Sequence, residues 1–446
     1  MRAILLFLMF ASPARAGEFS VTLKTAEESA VASSNQYKSA RLSAVAAAAA
    51  AAAAGSLLYP RLSLEGSLRY NSVVTEMNLP PALGGARPLG DNWNYSIGPS
   101  AAWTLYDGGA LRYGQEGADR NAAAYSAEVQ NAGRQVVLSA RTAYFRLQLA
   151  LEKVYLIGEN LQLSLSQLKD ITLGAKAGSR SRLDQIRASQ ETLDRKRDLL
   201  QARSDLSAAL RDFSFVTGLS LPGDPALPLD FRMDGRDYGG AEPATMLVKA
   251  EPYEAMLSRL LPSADGGLDK DLPSVKALYE AAQAYRASAG SYRSALLPRL
   301  ILGARSSIDY PNGPNIYSFM QNSASLSLSL PLFEKDLSRE REKESELNAE
   351  AALRRKDEAG LAAGRDFDKA RDAYKELLSE QAVNIEAVDD AVEAGSLAYE
   401  SYKAGGSTWL DVESANLKTL QAKTAAASVN AEILMKLAIL DSLSGR

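Results

Sequence analysis

Residues 176–189 read KAGSRSRLDQIRAS, and residues 403–416 read KAGGSTWLDVESAN. The two stretches align at an offset of 227. At the same offset, Leu105-Tyr106-Asp107 lies under Leu332-Phe333-Glu334. Nearer the start of each copy, PRLSL (60–64) aligns with PRLIL (298–302), and Lys38 with Lys276, at an offset of 238. Ordered matches at so many points mark a tandem repeat, and a repeat constrains the fold more than any single element does. The fall in offset from 238 to 227 gives the first copy eleven more residues between 64 and 105.

Each copy reads in the same order. A helical stretch ends at a Pro-headed strand, a loop and a second strand follow, and then come a very long helix, a Gly-containing break and a return helix. The boundaries are a first repeat over 17–217, with a strand hairpin at 59–106 and a helical hairpin at 107–217. The second repeat covers 273–446, with a strand hairpin at 298–333 and a helical hairpin at 334–440. Residues 218–272 join them. Pro222, Pro225, Pro228, Pro243, Pro252 and Pro262, with Gly239-Gly240 and Gly266-Gly267, make that joint mostly irregular, with a helix near 243–260.

The strands alternate with period two. Leu62, Leu64, Gly66, Leu68 and Tyr70 share one side against Ser63, Glu65, Ser67 and Arg69. Trp93, Tyr95, Ile97, Pro99, Ala101, Trp103 and Leu105 do the same against small polar residues. In the second copy Leu300, Leu302, Ala304, Ser306, Ile308 and Tyr310 share a side, as do Leu326, Leu328, Leu330 and Leu332. Ten-residue alternation is the signature of a membrane barrel strand, with Tyr70, Trp93, Trp103 and Tyr310 placed for an aromatic girdle. A soluble half-buried sheet alternates in the same way. Four strands cannot close a barrel alone, and an open edge in hydrocarbon leaves backbone groups unpaired. Membrane strands here would therefore require several copies of the chain. Three copies give twelve strands, whereas an eight-stranded barrel of two copies is filled by its own side chains.

Between Ala110 and Leu173 there is no Pro, which allows about 95 Å of continuous helix. Val136, Ala140, Ala143, Leu147, Leu151, Val154, Ile157, Leu161, Leu165, Leu168 and Ile171 recur at a coiled-coil period. Phe367, Ala370, Tyr374 and Leu377 keep that spacing in the second copy. Gly174–Ser181, containing Gly178, and Gly405-Gly406 break the helices, and Leu-Asp follows each break at Leu183-Asp184 and Leu410-Asp411. These breaks read as the far tips of two helical hairpins, opposite the strands.

Composition narrows the function. Met1-Arg2, an apolar run from Ala3 to Ala11 and Ala14-Arg15-Ala16 form an export signal (1–16), cleaved after Ala16. Cleavage removes two arginines and moves the net charge from −4 to −6, against a nucleic-acid partner. No later stretch is apolar and long enough for a membrane helix. The chain has no Cys and no His, which excludes disulfides, thiol catalysis, Cys/His zinc sites and Ser-His-Asp chemistry. No pair stands out among its 54 acids, so an enzyme, a cofactor and a metal are not expected.

The residues together resemble the TolC-type outer-membrane efflux proteins over essentially the whole mature chain. YKAGGSTWLDV (402–412) matches the family's tip pattern Tyr-x-x-Gly-x-x-x-x-x-Asp-Val. LLYPRL (57–62) and LLPRL (296–300) match its Pro-headed strands, and TLYDGGALR (104–112) its exit into the long helix. The resemblance implies a mostly α protomer of a homotrimer, with a twelve-stranded β-barrel in the outer membrane and a long periplasmic α-helical barrel. It implies an exit duct of a tripartite efflux or type I secretion system. The partners implied are outer-membrane lipid, a periplasmic adaptor (membrane fusion protein) and an inner-membrane transporter. A soluble periplasmic coiled-coil scaffold is the alternative. Leu62, Leu64, Trp103, Leu300 and Leu328 would face lipid. At the tip the resemblance makes Tyr402 and Asp184 a gate bond, Asp411 a ring acid, and Gly178 and Gly405 the turn residues. Ser414 and Ser407 stand where the family has a second ring acid and a tip arginine, and Arg180 and Arg182 are the substitutes within reach. Asp184 and Asp411 read equally as helix N-caps, and Tyr402 as packing. The longer first-copy loop, 71–92, belongs outside the cell by analogy with the long external loops of bacterial barrels.

Overall fold

The computed structural model describes residues 19–78, 80, 82, 85–219 and 248–444. The export signal and the middle of the joint between the repeats lie outside the described residues. The elements in order are β1 (Phe19–Val21), α1 (Leu23–Ser33), α2 (Asn35–Ser56), β2 (Arg61–Tyr70), β3 (Glu76–Asn78), β4 (Ala86–Pro88), β5 (Trp93–Tyr106), α3 (Ala110–Lys176) and α4 (Arg182–Thr217). They continue with β6 (Val248–Ala250), α5 (Tyr253–Leu260), α6 (Pro273–Ser294), β7 (Arg299–Tyr310), β8 (Phe319–Ser329), α7 (Leu337–Ala404) and α8 (Trp409–Ser444). The chain forms two compact units. One holds residues 39–130 and 273–360; the other holds the segments up to Lys38, 131–272 and from Leu361 onward. Each repeat contributes to both.

The first unit contains one four-stranded antiparallel sheet in the order β2-β5-β7-β8. The two hairpins, one from each repeat, join through β5 and β7. The register puts like on like: Leu64 opposite Pro99, Ile97 opposite Ile308, Trp103 opposite Leu302, and Leu302 opposite Leu326. One face is therefore largely apolar, interrupted at the Ser306–Asn322 pair. Tyr70 packs edge-on to Trp93 at 5.0 Å, and Tyr95 stacks on Tyr310 at 5.1 Å, so aromatics gather at one end. Two details depart from plain alternation. A bulge after Thr104 sets Tyr106 opposite Leu300, so Leu105 loses its place in the ladder. Strand β8 ends at Ser329, because Pro331 has no N–H to continue the ladder, and Leu330 and Leu332 fall outside it.

At Gly98 the backbone of β7 occupies the space a side chain would need. A Cβ there would lie 2.0 Å from the carbonyl oxygen of Ser306. Gly66, on β2, would meet only the Ile97 side chain at 3.8 Å. The exit from each hairpin into its long helix keeps left-handed geometry in both repeats. Gly108 and Gly109 have φ of +68° and +94°, and Lys335 and Asp336, at the same repeat positions, have +44° and +64°.

The helices follow their composition. The alanine run in α2 is the best helix former available. α3 runs 67 residues, about 100 Å of helix. Its seam residues in the second unit are buried as the period requires: Val136, Ala140, Ala143, Leu147, Leu151, Val154, Leu161 and Ile171 are all below a tenth exposed. Phe367, Ala370, Tyr374 and Leu377 of α7 and Ile433, Leu434 and Leu437 of α8 complete the core. Each fully buried leucine contributes about 1.5–3 kcal/mol.

The second unit also contains features the sequence reading did not supply. β1 pairs with β6 in parallel. Buried Tyr144 of α3 stitches that pair: its hydroxyl donates to the Val21 carbonyl and accepts from the Glu251 N–H, each at 2.8 Å. Burial raises its pKa to about 12. The helix expected near 243–260 begins at Tyr253, because residues 248–250 are strand and Pro252 occupies the N-cap. Arg141 of α3 donates to Glu27 of α1 and Asp441 of α8; Arg259 also reaches Glu27, and Ser263 reaches Asp441. Burial works against the Arg141 charge, but the bonds to Asp441 and Glu27 outweigh it and hold its pKa above the usual value.

The Gly98 contact makes a sharp comparison. Gly98→Ala is expected to cost about 1–3 kcal/mol through strand separation, while Gly66→Ala stays within about 0.5 kcal/mol. Thermal unfolding of the detergent-solubilised variants measures both, and equal behaviour would remove the close approach as a constraint.

Candidate functional site

The two tip turns superpose in their bonding. Gly178 N–H donates to Ala175 and Ser179 N–H to Gly174; Gly405 N–H donates to Tyr402 and Gly406 N–H to Ser401. Every partner differs by the repeat offset of 227. Gly178 and Gly405 hold φ of +75° and +82°, the left-handed conformation that closes a helix C-terminus and that glycine adopts without a Cβ penalty.

The next turn separates the equivalent aspartates. In the first repeat Ser181 is the N-cap, and its hydroxyl accepts from the Asp184 N–H. In the second, the Asp411 carboxylate reaches back to Thr408, accepting from its N–H at 2.8 Å and its hydroxyl at 2.7 Å. These bonds, the hydroxyl first, lower the Asp411 pKa. Asp411 is thus committed to capping in this conformation. Asp184, relieved of that task by Ser181, accepts from the Tyr402 hydroxyl at 3.3 Å. That distance is long for O–H···O, so the bond is weak here.

Tyr402 is held more firmly by other groups. It is 4% exposed and packs against Ile171, Ala188, Trp409 and Val412. Its ring meets that of Trp409 edge-on at 5.4 Å. The Arg180 guanidinium lies 4.4 Å from the ring centroid and donates to the Tyr402 and Lys403 carbonyls, each at 2.9 Å. Those carbonyls are the last of α7, where orphan acceptors and the helix dipole favour a cation. Arg182 turns instead to Gln185 on its own helix. Burial raises the Tyr402 pKa, with the Asp184 charge adding to the effect.

Sequence reasoning missed five participants. Tyr399, one helical turn before Tyr402, donates to Asp170 at 2.9 Å, the tighter of the two phenol–carboxylate bonds. Burial and then Asp170 raise its pKa. Its spacing of three from Tyr402 was the available signal, since such pairs share a helix face. Behind the aromatic cluster, Asn416 donates to Gln167 at 2.9 Å and Glu191 at 3.2 Å, all three below a twentieth exposed. Burial raises the Glu191 pKa, and the Asn416 bond partly offsets it. Only Asn416 lay within the aligned repeat, where its counterpart is Ser189.

The proposed lipid-facing residues lie in the sheet unit. Leu62, Leu64, Trp103 and Leu328 are 76%, 74%, 41% and 70% exposed. Leu300 is half-buried, opposite Leu328. The Trp103 indole donates to the Leu58 carbonyl at 3.0 Å. No helix among the described residues is long and apolar enough to cross a membrane.

The family model for outer membrane efflux proteins matches residues 27–219 and 270–446. No curated protein sequence matches significantly. Among solved structures, the outer-membrane channel OprN is similar with a TM-score of 0.73 at 20% identity, over 95% of this chain and 90% of that one. The Neisseria gonorrhoeae MtrE outer-membrane channel in its open state gives 0.72 at 19%, over 98% and 93%. The Campylobacter jejuni CmeC outer-membrane channel gives 0.74 at 16%, over 95% and 85%. Such identities establish a shared fold.

Arg180 bridges the two tip turns, stacking on Tyr402 and donating to the Tyr402 and Lys403 carbonyls. Arg180→Ala is expected to speed amide exchange across 399–409 by about tenfold or more, the loss of one to two charge-assisted bonds. Tyr402→Phe, which removes only a long bond, changes exchange by a few-fold at most. The reverse order would make the phenol the principal tie.

Proposed function

The chain belongs to the outer membrane efflux protein family, and from that premise we propose that three copies close one twelve-stranded barrel and serve as the exit duct of a tripartite export assembly. Its place is the outer membrane and its task is efflux. The observation that carries the trimer is the open sheet. Among the described residues β2 and β8 each have a neighbour on one side only, and the sheet's apolar face leaves Leu62, Leu64, Leu68, Leu326 and Leu328 more than 60% exposed. In hydrocarbon the apolar face is at home, but each unpaired backbone group costs several kcal/mol. Pairing β2 of one copy with β8 of the next removes both edges. A soluble scaffold would leave the same leucines in water with no return.

The helices support the same reading. Ile186, Leu193 and Leu200 of α4 form an exposed stripe of seven-residue spacing, and Leu378, Ile385 and Val392 of α7 form another. A heptad stripe exposed among the described residues suits a helix of another copy. The duct itself lowers no chemical barrier; cargo is expelled by energy from an inner-membrane transporter through a periplasmic adaptor. The tip turns form the closable entrance. Tyr402, Tyr399 and Arg180 tie the two hairpins together, and Asp411, three copies of which would share one axis, gives the entrance its negative charge.

Native mass measurement in detergent is expected to give a homotrimer. A stable monomer would overturn the shared barrel.

A further inference from the structure

We propose that the polar face of the four-stranded sheet is a cationic, hydroxyl-lined lane that favours anionic cargo over cationic cargo. This rests on the channel reading above, in which that face lines the lumen, and it adds the charge class of what passes.

The apolar face carries no charged residue. All the strand charges alternate onto the other face: Arg61, Glu65 and Arg69 on β2, and Arg299, Arg305 and Asp309 on β7. The two carboxylates are already engaged. Glu65 accepts from Ser100 at 2.9 Å and lies 3.9 Å from Arg305. Asp309 accepts from Ser96, which in turn accepts from Arg305. This network spends both acids and one arginine. Arg61, Arg69 and Arg299 are exposed and make no ion pair among the described residues. Across the ladder they face Ala102, Asn94 and Ser329, none of them acidic.

Assembly does not cancel these charges. Under the proposed closure β2 of one copy lies beside β8 of the next. The polar face of β8 is Phe319, Gln321, Ser323, Ser325, Ser327 and Ser329, with no carboxylate. Three guanidiniums per chain, nine in a trimer, would therefore look into one lumen among serine hydroxyls that can donate. Guanidinium and hydroxyl donors are what phosphate, sulfonate and carboxylate groups bind. In a narrow low-dielectric wall such a field raises the local anion concentration by about tenfold or more. The sign is opposite to that of Asp411 at the tip, so the two regions act on cargo differently.

The test is block of single channels in planar bilayers at about 0.1 M salt, where the screening length is about 10 Å. Tripolyphosphate added from the side of the 71–92 loop is expected to reduce current, an effect that Asp411→Asn should leave unchanged. Arg61→Gln/Arg69→Gln/Arg299→Gln should raise the half-blocking concentration about tenfold or more, and the triple Lys variant should retain block. Arg61→Gln alone should give an intermediate shift, which keeps the test usable if the triple variant does not assemble. Conducting trimers that tripolyphosphate does not block, or that it blocks equally after the Gln substitutions, would overturn the lane while leaving the channel reading intact. A monomeric, non-conducting protein would remove the channel reading and the lane with it.

Discussion

An open sheet edge facing hydrocarbon is the constraint on which the rest of this structure depends. Water can satisfy a free N–H or C=O, and lipid cannot. The chain contributes β2-β5-β7-β8, apolar on one face and polar on the other, and stops with two edges unpaired. Under the proposed closure, everything built onto the strands has to be compatible with copies arranged around an axis. The long helices follow directly from the strands in each repeat, so their outward-facing heptad stripes on α4 and α7 meet the same requirement in an aqueous setting. The two solvents call for different surfaces, leucine against lipid and a sparse heptad seam against water, and both occur in each repeat.

The tip shows how a repeat diverges once its geometry is fixed. The glycine turn is reproduced bond for bond at an offset of 227, because a helix C-terminus has few ways to close. The capping step that follows has more than one solution. Ser181 caps with its hydroxyl and leaves Asp184 available to Tyr402; Thr408 is itself served by Asp411. The first tip supplies Arg180 where the second has Ser407, and the arginine both stacks on Tyr402 and closes the C-terminus of α7. The tie at this tip is thus supplied by the first hairpin.

Much of this was legible beforehand, for physical reasons that can be named. Period-two alternation in β2, β5 and β7, and the spacing from Val136 to Ile171, are set by burial, which writes directly into sequence. The bulge at Leu105 was not legible, because alternation continues through it and only the partner strand reveals the slip. The β1–β6 pair was hidden because three-residue strands carry no period, and its stabilising hydroxyl, Tyr144, comes from a distant helix. At the tip, motif position found Tyr402 and Asp184 and the juxtaposition is present, but at 3.3 Å it is the looser bond. Tyr399–Asp170 and the Asn416–Gln167–Glu191 layer join helices far apart in sequence, and no local pattern marks them.

Because the chain contains no cysteine, edge pairing between copies can be measured without background. Within one chain β2 and β8 are separated by two strands, about 14 Å, while a disulfide needs Cα atoms within about 7 Å. One cysteine placed on β2 at Ser63 and a second walked along β8 from Gln321 to Ser327 should, at the matching register, oxidise to covalent dimers and trimers on a denaturing gel. Monomers alone at every register would contradict closure of the barrel by neighbouring copies.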